Sequence, residues 1–340
     1  MNIYITIWFA LLISSIVWKK SFFPISLFWF SLVIIEGSRG IEVGIDTLNY
    51  FDIFNSVGDG NYLIWVEPVW NFVCFAFYNI ISTNYTAFLL FVSAVTLYNF
   101  FYVLYKESPW PLLSLFIFVS LHMYMASFNI MRQYFSMSFL LLSWYFHVHN
   151  KKPQSLLTLA IAILSHFSNL FALVIYYWNK ISLTKRNIIV FLLGSFVFGS
   201  LMNERLLSLF TMSIFENFLE KDTVFRDNSV VVILMVIAQN IIAIYIANNL
   251  KSELYENFWF KMFIFSCIVF NATYMVAYAA RFYSIFALSQ LVFIPIFLQQ
   301  IKRKKRLLVY SVFLLYMSAQ FFRILIANGN GIVPYKSVCP

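Results

Sequence analysis

Charge is scarce in this chain of 340 residues. Only 11% of them are Asp, Glu, Lys or Arg, whereas soluble domains carry about 25%. With 62% hydrophobic residues and a mean hydropathy of +0.80, this excludes a soluble globular protein, which needs far more polar surface than these side chains supply. Cysteine is nearly absent as well. Cys74, Cys267 and Cys339 show no metal-ligand spacing and suit small apolar packing, although a Cys74–Cys339 disulfide stays open. The nine glycines form no Rossmann-type phosphate loop, so nucleotide binding of that kind is not indicated. No internal repeat, low-complexity tract or soluble domain is visible. The first apolar run lacks a basic leader, so Met1–Trp18 reads as a retained helix rather than a cleaved signal.

What fills the chain is long apolar runs, and about 20 such residues are enough to cross a bilayer. Runs fall at 3–18, 22–36, 84–105, 109–127, 132–149, 187–202, 229–249, 258–279, 282–300 and 307–326. Two further stretches are marginal: 67–82 is short and interrupted by polar groups, and 155–178 carries Ser165-His166-Phe167-Ser168-Asn169 in its middle. The expected fold is all-α: one polytopic membrane domain over 1–340, with about 10–12 transmembrane helices and additional loop helices.

The net charge of +9 does not point to nucleic acid, because the bases sit in short clusters between apolar runs. Lys19-Lys20, Lys151-Lys152, Lys185-Arg186 and Lys302–Arg306 have the pattern of cytoplasmic loops facing anionic lipid. Placing the first and last of these inside puts both termini outside and requires an even number of crossings. Either 67–82 is re-entrant or superficial and 155–178 breaks into a hairpin at His166, or both span once. The second solution puts Lys106, Lys151 and Lys152 outside, so the positive-inside rule prefers the first. Two segments then project outward. Residues 37–66 form an acidic loop: six of the fourteen acids lie from Glu36 to Glu67, against one base, Arg39. Residues 203–228 mix charge with Leu and Phe at helical spacing, as an amphipathic interfacial helix does.

Ionisable groups beside apolar runs cost a few kcal/mol to insert and are functional candidates by default. On this topology Arg39, Asp46, Glu67, Arg132, His166 and Arg281 all approach the outer face. Converging arginines suit a polyanion, because guanidinium offers phosphate a flat bidentate fork. Plainer roles compete. The arginines could snorkel or pair with acids, His166 could be a packing residue, and Glu67 could be a solvated loop residue. Asp46-Thr47 could begin a helix as its N-cap.

Read in order, several short elements resemble the EpsG-like family of Wzy-type repeat-unit polymerases. They are Arg39 followed by Val43-Gly44-Ile45-Asp46 and Tyr50, Glu67-Pro68-Val69-Trp70, Asn84-Tyr85 through Lys106-Glu107-Ser108, and Arg132-Gln133. Ser165-His166-Phe167-Ser168, Arg281-Phe282-Tyr283 and Pro334-Tyr335 complete the series. Ile45 and Asn169 depart from the family's usual residues. The resemblance implies a glycosyltransferase of the bacterial inner membrane with its site facing the periplasm. It would join undecaprenyl-diphosphate-linked oligosaccharides in O-antigen or capsule (lipopolysaccharide) synthesis. Arg39, Arg132 and Arg281 would bind the diphosphate, and Asp46, Glu67 or His166 would act as base. No cofactor and no metal would be needed. Partners would be the lipid-linked substrates, membrane lipids and a chain-length regulator. An O-antigen ligase and a lipid-oligosaccharide flippase are the rival readings. A ligase carries a larger periplasmic domain, and a transporter shows repeats and midplane charges.

Overall fold

The computed structural model describes residues 1–201, 230–276 and 280–338. Among the described residues there is no strand; Arg39 and Ser337 form an isolated antiparallel bridge. Tyr85–Glu107, Val230–Asn249, Arg281–Gln300 and Lys304–Ala327 are long and apolar enough to cross a membrane, and six shorter apolar helices accompany them. The chain is an all-α polytopic membrane protein. The amphipathic segment expected at 203–228 lies outside the described residues. The described chain forms two compact units, residues 1–170 with 294–340, and residues 171–293.

The first unit contains α1 (Asn2–Val17), α2 (Phe22–Gly37), α3 (Thr47–Gly58) and α4 (Pro68–Ala76), the last continued by a π turn, Phe77–Ile81. Then come α5 (Tyr85–Glu107), α6 (Pro111–Ser120), α7 (Met123–Ser127), α8 (Met131–Val148) and α9 (Lys152–Ser165). Helix starts follow local chemistry. Prolines occupy the first turn of α4, α6 and α9, where no amide hydrogen is missed. Asn84 caps α5 by accepting from the Ala87 amide at 3.1 Å. The run expected over 109–127 is broken into α6 and α7 at His122, whose φ of 77° no helix tolerates.

Contacts show which way each helix runs. Phe22 of α2 meets Tyr105 of α5 at 5.9 Å. At the far end of the pair, Gly37 lies so close to Leu90 that a Cβ would fall 2.6 Å from its Cα. The Trp8 indole of α1 donates to Ser120 of α6 at 2.9 Å. In the last helix, Arg303–Ala327, Tyr310 approaches Ser15 at 3.3 Å and Phe321 stacks on Trp8 at 5.0 Å. The tail beyond it folds over the first loop: the amides of Gly40, Gly44 and Ile45 donate to the carbonyls of Lys336, Gly331 and Asn330. Gly44, at φ 96°, supplies the left-handed turn this requires.

These helices give the first unit two unlike ends. At one end stand Lys19, Lys20, Lys106, Lys151 and the start of the last helix, with its run of bases. Their ammonium groups lie over aromatic rings: Lys19 over Trp110, Lys20 over Tyr105, Lys106 over Tyr102 and Lys151 over Phe146. At the other end lie the acidic first loop, the C-terminal tail, the start of α8 and the end of α9. Segment 67–82 begins and finishes at this acidic end. Within the π turn, Tyr78 and Asn79 bond back to Asp59 and Gly58 at the end of α3. At 1.5 Å per residue, Pro68–Ile81 extends only about 21 Å, short of a hydrocarbon core of roughly 30 Å. Instead α3 and α4 bury Tyr50, Phe54, Trp70 and Phe77 against α5 and α8.

The second unit contains α10 (Ile175–Trp178), α11 (Lys185–Leu201), α12 (Val230–Asn249), α13 (Phe258–Thr273), α14 (Ala280–Ala287) and the first part of α15 (Ser289–Gln300). α13 packs against α10, α11, α12 and α14. Its buried Asn271 bridges the Leu192 carbonyl at 3.0 Å and Asn240 at 2.8 Å, and its buried Lys261 pairs with Glu256 at 2.5 Å. Both polar groups are satisfied, as burial demands.

Candidate functional site

Arg132 stands in the first turn of α8. That is the positive end of the helix dipole, where a cation is locally disfavoured. Tertiary structure provides the compensation. Glu67, in extended conformation just before Pro68, receives Arg132 Nη1 at 2.8 Å on Oε2. Its other oxygen, Oε1, lies 2.5 Å from His166 Nδ1. One carboxylate therefore holds an arginine and a histidine at once. Tyr50 and Trp65 flank the guanidinium, their rings 5.9 and 6.0 Å from it.

Each of the three is held by neighbours. Asn71, one turn into α4, ties down the loop that carries Glu67. Its Nδ2 donates to the Leu63 carbonyl at 3.0 Å and the Val66 carbonyl at 2.7 Å, and its Oδ1 receives the Leu63 amide at 3.2 Å. α9 ends at Ser165, and His166 turns away in extended backbone before the 3-10 turn Phe167–Val174. Asn169 fastens that turn to α8 by donating to Ser136 Oγ, which itself donates to the Ala162 carbonyl. Burial raises the Glu67 carboxyl, but the His166 hydrogen bond and the Arg132 charge outweigh it and hold the group below the ordinary carboxylate range. The carboxylate is then an acceptor only, so His166 Nδ1 carries a hydrogen toward it. In the neutral ring this leaves Nε2 as the acceptor nitrogen. Arg132 Nε is buried and has no hydrogen-bond partner among the described residues.

Arg39 is fully buried, at 0% exposure. Its guanidinium donates to the Glu36 carbonyl and, at 3.3 Å, to the Phe128 carbonyl, and lies 4.9 Å from the Phe128 ring. It joins the end of α2 to the turn before α8. Asp46 is half-buried immediately before α3, where its side chain makes no capping bond, and its charge acts on the Tyr50 hydroxyl. Arg281 belongs to the second unit, exposed on α14. Among the described residues no three His, Cys, Asp or Glu side chains converge as metal ligands do. Tyr50, Trp65, Asn71 and Asn169 were not selected from the sequence as parts of a site. Asn71, the polar residue inside EPVWNFVCFAF, is the one whose pattern could have marked it.

The fold and this ion cluster define a polytopic helical membrane protein whose first unit carries a partly enclosed Arg–Glu–His site at its acidic end. The sequence profile of the EpsG family matches residues 22–337, nearly the whole chain. The protein belongs to the EpsG family, a family of Wzy-like polymerases, and its general function is that of a polysaccharide polymerase. No curated protein and no solved structure gives a match.

Proposed function

We propose that this protein joins oligosaccharide repeat units carried on undecaprenyl diphosphate, at the outer face of the bacterial inner membrane, in O-antigen or capsule synthesis. The observation that carries the reading is the Glu67 carboxylate shared between Arg132 and His166. In the reaction an acceptor hydroxyl oxygen bonds to the anomeric carbon. The bond from that carbon to the diphosphate oxygen breaks, and its electron pair leaves with the diphosphate. The hydroxyl proton passes to His166 Nε2. Glu67 orients the imidazole and stabilises the imidazolium that forms, the part a carboxylate plays behind a catalytic histidine. Arg132 meets the charge growing on the leaving group, with Nε still unengaged. Glu67 is itself the weaker candidate for the base, because both its oxygens are engaged and its proton affinity is lowered.

The outer-face assignment rests on the two ends of the first unit. Lys19, Lys20, Lys106 and Lys151 share one end, which the positive-inside rule assigns to the cytoplasm, and the site occupies the other. Arg39 and Asp46 are assigned supporting parts, Arg39 behind α8 and Asp46 beside Tyr50. A role for Arg281 in holding the diphosphate is a separate proposal, tested by its own alanine variant.

Deletion of the gene in its host, complemented with wild type, Arg132→Ala or His166→Gln, tests the assignment. Wild type restores the ladder of long chains, and each variant leaves a single-repeat glycoform while still inserting in the membrane. Normal ladders from both variants remove the site from the reaction. Loss of all surface glycan in the deletion strain points to a flippase or ligase instead.

A further inference from the structure

Two short helices of the acidic end share one core but present opposite outer faces. α3 turns Asn49 and Asp52 outward beside Leu48, whereas α4 turns out Phe72, at 67% exposure, and Phe75, and its π turn exposes Ile80, at 81%, beside Asn79. A pair so divided sits at a water–lipid boundary, with α3 toward water and α4 toward hydrocarbon. α9, packed against α4, continues the apolar surface with Leu156, Leu157 and Leu164 exposed. The Glu67–Arg132–His166 cluster stands where these two surfaces end. Exposed apolar residues stand close by in the chain: Ile64, three residues before Glu67, at 91%, Trp65 beside the guanidinium, and Phe167 next to His166.

We infer that Ile64 and Phe167 form an apolar sill over which the site is loaded sideways from the bilayer, and that the sill takes the isoprenoid chain next to the diphosphate. This rests on the proposed function and adds to it where the lipid part of the donor lies. Its phosphates meet the guanidinium of Arg132, whose side chain is 17% exposed. Its first isoprene units cross Ile64 and Phe167 and continue along the exposed apolar faces of α4 and α9 into the membrane. Charge complementarity at Arg132, with exposed apolar side chains of α4 and α9 running away from it, selects an amphiphile with an anionic head over a water-soluble sugar phosphate. Burial of the chain against the sill makes the isoprenoid itself part of recognition.

The test uses the full-length protein in lipid nanodiscs, with undecaprenyl diphosphate and inorganic pyrophosphate as probes. Partitioning into the disc is the same for wild type and variant, so it cancels in their ratio for each probe. Ile64→Ser with Phe167→Ser is expected to weaken undecaprenyl diphosphate binding about tenfold while leaving pyrophosphate, which has no isoprenoid chain, within about twofold, since tenfold needs only modest loss of apolar contact. Arg132→Ala is expected to weaken both probes alike. If the serine variant treats the two probes equally, the sill is ordinary lipid-facing surface and the inference fails. If Arg132→Ala changes neither, the diphosphate role of the site fails first. A fluorophore attached to the thiol of an Ile64→Cys variant gives a measurement free of substrate: quenching by lipids brominated on the acyl chain is expected, and quenching only by aqueous iodide overturns the sill.

Discussion

The two ends of the first unit treat charge in opposite ways. At the basic end the ammonium groups of Lys19, Lys20, Lys106 and Lys151 lie over aromatic rings, so the long stem covers apolar surface while the head stays near water. At the acidic end Arg39 and Arg132 turn inward and meet the backbone or another ion, Arg39 two carbonyls and Arg132 Glu67. An ion over an exposed ring is replaceable and contributes about 0.5–1 kcal/mol. A buried ion with fixed partners is not replaceable, since removing one partner strands the other in a poor solvent. On the proposed function, the difference separates orientation in the membrane from chemistry: the basic end would work by charge alone, and the acidic end by geometry.

The contrast breaks most visibly at Arg132 and His166. Arg132→Ala should lower polymerisation by about 10³-fold, the scale of losing a donor to a developing anion, and His166→Gln by roughly 10²–10⁴-fold. Turnover of purified protein on lipid-linked repeat units measures both, and Lys106→Ala at the other end should stay within about twofold. Next in size is Arg39→Ala, which should destabilise the fold by about 3 kcal/mol, as expected for a lost buried charge network. Thermal unfolding in detergent reports this, and the activity of the folded fraction should survive. Normal stability with lost activity would instead return Arg39 to the substrate.

The pH dependence sharpens the same comparison. Glu67 is held below the ordinary carboxylate range in the folded protein. Its stabilising contribution is therefore complete above the pKa of an unfolded glutamate, about 4.3. It is lost as pH falls below that value through the lower folded-state pKa. Glu67→Gln should flatten the acid limb of unfolding temperature over roughly pH 5 to 3; an unchanged limb would mean that the shared carboxylate does not hold the fold. The smallest effect belongs to Lys19→Ala, which should cost less than about 1 kcal/mol and leave chain length unaltered.

Much of the fold was legible because solvent preference is local. Each apolar run declares a helix that avoids water, and runs such as 22–36 and 132–149 agree closely with α2 and α8. Where a run hid a break, as at His122, the break depended on packing around the turn rather than on composition. The site was half legible. Arg132 and His166 stood out as polar residues that apolar neighbours do not explain. That Arg39 would be spent on carbonyls was not readable, because a buried arginine and a substrate-binding one look alike in a string of letters.

The sequence by itself determined the class of molecule, the rough place of each helix and the separation of basic from acidic loops, since these depend on what each short segment prefers to touch. Only the tertiary structure decided that Glu67 is shared. Its two partners lie 65 and 99 residues away along the chain, and no local preference can bring them to opposite oxygens of one carboxylate. That meeting requires 67–82 to stay at the acidic end while α8 and α9 each begin or finish there. The physical reason is closure: hydrophobic burial of α3 and α4 against α5 and α8 fixes where Glu67 stands, and the ions then pair where packing has left them.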